Sequence, residues 1–176
     1  RGLIGIVAKN RNTHHFYDIG ELLGELNLAL GKPQDAAKYF GVLLNAPDAD
    51  TKARGVYRLA QVQLSQDDHE AARERFSQLM NAPAASPEMT KLKSLAEVGL
   101  AVCDQKAGKN QEALRQLDKL IAKYPSTEYD LFAQIYNAKG AIHEQLGQPV
   151  QALLSFLKTD LLFFTEAEAH AEALYH

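Results

Sequence analysis

The chain has 176 residues, 46% hydrophobic and 23% charged, a balance that suits one globular domain or one short repeat array and argues against disorder, collagen and coiled-coil composition. Nineteen Lys and Arg against 22 Asp and Glu leave a formal net charge of −3, so no global positive field exists to gather phosphate backbones, and nucleic acid is disfavoured as a partner. The single cysteine, Cys103, cannot close an internal disulfide, and the longest apolar run, Leu161-Leu162-Phe163-Phe164, is far short of the roughly 20 residues that cross a bilayer.

A repeat organises the rest. Asn45-Ala46-Pro47 recurs as Asn81-Ala82-Pro83, and Ala36, Phe40 and Leu43 keep step with Ala72, Phe76 and Leu79, all at an offset of 36 residues. A third unit sets Ala113, Leu117 and Leu120 a further 41 along, and a fourth sets Ala152 and Phe156 a further 39. The predicted organisation is a single array over 1–176, with units near 17–50, 53–86, 87–127 and 130–164 and partial units at 1–16 and 165–176.

In chain order, Leu3 through Asn10 reads as the tail of a second helix. A first helix then ends at Gly31, where a left-handed residue costs least without a Cβ, and Pro33 opens a second helix that runs to about Ala46, before Pro47. In the second unit Asp67-Asp68 stands where a turn glycine is expected, tolerable because Asp visits left-handed and capping conformations; its second helix ends near Ala82. Ser86-Pro87 carries an N-cap signature for a long first helix, which accounts for the 41-residue interval. Gly108 ends that helix, and its partner runs to Lys123, ahead of Pro125. Gly147 and Pro149 repeat the turn of the first unit, and the last second helix reaches about Asp160. Thr165 through Glu168 reads as a capping box, and Ala171 through His176 as the opening of another first helix. No window alternates in the manner of a strand.

Small residues at Gly24, Ala60, Ala101 and Gly140 are expected to face Ala36, Ala72, Ala113 and Ala152, giving close helix crossings. Phe40, Phe76, Leu117 and Phe156 are expected to fill the wedge between successive hairpins.

With Leu23-Gly24, Gly31, Ala36, Phe40 and Pro47 in the first unit and their counterparts in the others, the chain resembles the tetratricopeptide repeat family over about residues 17 to 164. Lys139 departs from the pattern, which prefers Leu there. The resemblance implies an all-α, right-handed superhelical α-solenoid of antiparallel helix hairpins whose first helices line a concave groove. It assigns that groove Asp18, Glu21, Glu25 and Leu28, then Arg54, Tyr57, Gln61 and Leu64, then Leu95, Val98 and Val102, then Gln134, Asn137 and Ala141. Such a groove would offer carboxylates beside Arg54 and Tyr57 and an apolar strip further on, for a peptide of mixed basic and apolar character; equally, Leu95, Val98 and Val102 could pack on a neighbouring helix. Chaperone-binding members clamp a C-terminal carboxylate with Lys and Asn, positions held here by Glu21 and Glu25, so that ligand is disfavoured. Leu120 through Pro125 also resembles repeats of bacterial envelope-assembly proteins, which leaves compartment open between cytoplasm, the leaning, and periplasm. Because both ends read as partial units, the chain is expected to be a piece of a longer array.

Catalytic and metal constellations are not legible. His143-Glu144 lacks the second imidazole of HExxH, His14 and His15 are adjacent instead of four apart, and Cys103 sits in an apolar helix as a small hydrophobe. The expectation is a scaffold that binds a protein or peptide, without enzymatic activity, cofactor or metal. The alternative is a structural segment that self-associates through its exposed ends.

Overall fold

A computed structural model describes residues 14–162 and Ala173. The described residues form helices only: α1 (His14–Ala29), α2 (Pro33–Leu43), α3 (Ala49–Ser65), α4 (His69–Asn81), α5 (Pro87–Lys106), α6 (Asn110–Lys123), α7 (Tyr129–Gln145) and α8 (Pro149–Leu162). The fold is the all-α, tetratricopeptide-like succession of helix hairpins expected from the repeat. The segments Leu3–Asn10, Thr165–Glu168 and most of Ala171–His176 lie outside the described residues. The chain divides into two compact units, Arg1–Lys93 and Ser94–His176, with the boundary inside α5.

The turns carry the chemistry expected of them. Gly31, Gly108 and Gly147 adopt φ of +67°, +78° and +68°, and Asp67, standing in for the missing glycine, adopts +58°. Asp68 then caps α4, its carboxylate accepting from the Ala71 N–H at 3.3 Å. Pro33 occupies the first turn of α2, and α8 opens at Pro149. Ser86 caps α5 through its hydroxyl, which accepts from Met89 N–H at 2.9 Å and donates to Asp50 at 2.6 Å, tying the start of α5 to the start of α3.

In the first unit α1 and α2 are antiparallel. Tyr17 donates to the Asn45 carbonyl at 3.1 Å at one end, and Gly24 lies under the Phe40 ring further along. A Cβ built on Gly24 would fall 2.3 Å from that ring, so the glycine makes room for the phenyl ring of its own hairpin. Ala36 clusters with Phe40, Leu59 and Val62, joining α2 to α3, with Leu28 packed against the group. Phe40 thus does fill the wedge toward the next hairpin while also covering its own first helix. Gly55 brings α3 onto α2, its absent Cβ falling 2.8 Å from Leu43 Cβ. In the second hairpin Phe76 leans on Tyr57, ring centroids 6.0 Å apart.

The second unit repeats the scheme. Across α5 and α6, Lys123 bonds Glu97 at 2.7 Å and Gln116 donates to Asp104 at 2.8 Å, an antiparallel register. Phe132 and Ala133 of α7 pack with Ile121 of α6 and with Tyr124 just beyond its end. Lys139, the departure from the family pattern, ion-pairs with Asp118 of α6, a charged contact between the third and fourth hairpins. Gly140 lies under Phe156 as Gly24 lies under Phe40. Thr159, fully buried, donates to the Ala133 carbonyl at 3.4 Å. Ala152 and Phe156 pack against Ala173.

Candidate functional site

The most organised polar surface lies in the first unit, where α1 and α3 run side by side. Asp18, Glu21 and Glu25 recur at i, i+3 and i+7 of α1, one helical face. Arg54 and Arg58 recur at i, i+4 of α3 and face them. Arg54 reaches Asp18 at 3.8 Å and Glu21 at 3.4 Å; Arg58 reaches Glu21 at 3.5 Å and pairs with Glu25. Glu21 sits between both guanidiniums and is the most enclosed member, its side chain 16% exposed, whereas Asp18 at the rim is 59% exposed. Gln61 extends the ladder, accepting from Arg58 and donating to the Tyr57 hydroxyl, both at 3.2 Å.

Three carboxylates against two guanidiniums leave one negative charge, displayed at the Asp18 rim. The carboxylate cluster read from the sequence is therefore mostly neutralised from within. Arg58 is the member that sequence reasoning missed. Its signal was available: two arginines four apart on the first helix that follows a first helix with an acidic i, i+3, i+7 face.

Several residues assigned to the groove are placed elsewhere. Tyr57 is buried, its ring on Phe76, and Leu28 packs on the α2–α3 core cluster. Leu95, Val98 and Asn137 are buried, so the packing alternative holds for the first two, and the mainly apolar strip expected on α5 is interior. Gln61, Leu64, Val102, Gln134 and Ala141 are half-buried. In the second unit Glu97 gathers Lys123 and the Tyr124 hydroxyl, and the bond of Lys123 to Glu97 first, then its interaction with the Tyr124 side chain, holds the ammonium above its ordinary range. Asp104 is buried, bonded to Gln116 and 3.6 Å from Lys109.

The other candidates resolve simply. Cys103 is fully buried in α5. His143 pairs with Gln148 at 2.8 Å across the α7–α8 turn. Among the described residues no cluster of His, Cys, Asp and Glu could hold a metal ion, and no helix is long and apolar enough to cross a membrane.

No curated protein matches the chain. Residues 96–127, the greater part of α5, all of α6 and the turn beyond, match the model of the tetratricopeptide repeat family. Repeats of this kind serve generally as scaffolds for protein–protein interaction and not as catalysts. The hairpins that precede and follow the matched one in the chain close on the same left-handed turns, at Gly31, Asp67 and Gly147, so the matched segment is one tetratricopeptide repeat within a succession of similar hairpins.

Proposed function

We propose that the chain is a non-catalytic interaction scaffold that receives a basic peptide segment along the α1–α3 face of its first unit. The observation that carries the reading is the ladder itself: an ordered row of carboxylates held by Arg54 and Arg58, with a residual negative charge at the half-open Asp18 end. Such a row is pre-formed, so a ligand lysine or arginine meets an oriented carboxylate without first ordering it. Glu25 and Gln61 extend the acceptors along the helix axes, matching an extended or helical segment. Long-range attraction of this kind steers encounter more than it holds the complex, so binding falls with added salt.

The test is fluorescence anisotropy with three labelled dodecapeptides of equal length, one lysine-rich, one glutamate-rich and one neutral, titrated with the chain at low and high salt. The lysine-rich peptide is expected to bind best and to lose affinity with salt. An Asp18→Lys, Glu25→Lys double variant with unchanged helical signal is expected to abolish the preference. Equal binding of all three peptides, or a preference that survives the charge reversal, would overturn this assignment. Tyr57 is unsuited to such a test because its truncation would strip the platform under Phe76.

A further inference from the structure

Helix α8 has two apolar faces. One carries Ala152 and Phe156, which pack against Ala173, so the face that continues the stack is already engaged. The other carries Val150, Leu153, Leu154, Leu157 and Leu161, which are 38 to 68% exposed. Val150, Leu154, Leu157 and Leu161 recur at intervals of four, three and four residues, the spacing of a heptad seam, with Leu153 beside it. The preceding second helix provides an internal control. At the repeat offset of 39 residues, α6 places Gln111, Arg115, Asp118 and Ala122 where α8 places the four seam residues. Only the flanking position keeps its leucine: Leu114, the counterpart of Leu153, is half-buried in α6. The fold does not ask for large apolar residues along the seam, since α6 occupies the same place in its hairpin with polar, charged or small ones.

We infer that this outer face of α8 pairs with the same face of a second copy of the chain, about a two-fold axis. The five residues expose on the order of 500 Å², a large patch for a monomer to leave uncovered. Self-pairing would bury about 1,000 Å² in total, the size at which a small specific interface begins, and the seam spacing supplies the knobs and holes that a second identical helix needs. Two charges flank the seam, Lys158 on one side and Asp160 on the other beside Leu153. Lys158 turns back over the Tyr136 ring of its own hairpin at 4.8 Å, and the seam positions themselves carry no charge. The contact is lateral, so it is distinct from end-to-end stacking of hairpins and closes at two copies.

Sedimentation equilibrium of the whole chain over a range of concentrations tests this. The expected mass rises from one chain to two and stops. A Leu154→Arg, Leu157→Asp variant, which installs the residues that α6 already tolerates, is expected to weaken association by about 30-fold or more, as for loss of a central anchor, with an unchanged circular dichroism spectrum and melting curve. Leu26→Lys, on the exposed face of α1, is expected to leave the mass unaltered. A chain that stays monomeric to about 200 µM, where an interface of this size would register, overturns the inference whatever else the face then binds. So does a mass that grows past two copies, or a folded α8 variant that dimerises as the parent does.

Discussion

Replacing Gly24 by alanine isolates the contact on which the first hairpin closes. A Gly→Ala exchange inside an exposed helix ordinarily stabilises by about 1 kcal/mol. Here the added methyl would meet three atoms of the Phe40 ring at 2.3 to 2.6 Å. Phe40 is fully buried and packed with Ala36, Leu59 and Val62, so the ring cannot swing into solvent, and overpacking of this kind costs about 1–3 kcal/mol. With the propensity gain offsetting part of that cost, Gly24→Ala is expected to destabilise by up to about 2 kcal/mol net. The third hairpin already carries the relaxed combination, Ala101 with Leu117. Gly24→Ala made in a Phe40→Leu background should therefore turn neutral or stabilising, giving a coupling of about 2 kcal/mol between the two sites. Urea denaturation followed by circular dichroism measures each corner of the cycle through its midpoint at constant slope. The second hairpin sharpens the case, because Ala60 stands at the corresponding position there. Its ring, Phe76, rests on Tyr57, while the first hairpin has Glu21 in place of that tyrosine. If Gly24→Ala stabilises the parent chain, or if the two substitutions add independently, the account of the glycine as room for the ring is wrong.

Truncating Glu21 to alanine leaves Arg54 and Arg58 facing each other across a half-enclosed site and is expected to cost about 1–2 kcal/mol, between the exposed and buried limits for ion pairs. The loss should shrink in concentrated salt when melting curves are compared. Asp48 caps α3, accepting from the Thr51 N–H at 2.7 Å, and that backbone bond holds its carboxyl below the ordinary 3.8. A carboxyl lowered by folding contributes stability above its unfolded pKa and loses it as pH falls through the folded value. Asp48→Ala should cost about 1 kcal/mol at neutral pH, and the difference from the parent should fade below the ordinary carboxylate range in a pH series of denaturation midpoints. Gly31→Ala meets no atom within 4 Å, so its expected cost of about 1 kcal/mol is conformational alone, set by the left-handed φ. An alanine of equal stability would contradict that.

The parts of this fold legible in the sequence are those that depend on one residue's own backbone. Gly31, Gly108 and Gly147 announce left-handed turns because φ is a local demand, and Asp67 could be read the same way through the side chains that tolerate it. Parts that depend on how one helix is rotated against the next were less legible. Tyr57 lies on the helical face assigned to the groove, yet a large ring offered by Phe76 turns it inward, and burial of that pair outweighs exposing the phenol. Arg58 was missed because pairing across hairpins is invisible to a search along one helix. Of the α8 stripe only Leu161 stood out in the sequence, within the run Leu161 to Phe164, since leucines such as Leu153, Leu154 and Leu157 in an amphipathic helix do not declare their exposure until the opposite face is known to be buried as well.

The ion ladder also makes the order of the hairpins consequential. At the repeat offset of 41 residues the third hairpin has Leu95 and Gly99 where the second has Arg54 and Arg58, and a further 39 residues on, the fourth has Gln134 and Ala138. A first hairpin set before either would lose the two arginines that Asp18, Glu21 and Glu25 pair with. Units cut from one mould are thereby not interchangeable: the acidic face of the first is matched in charge by the second, and exchanging that successor would forfeit the match.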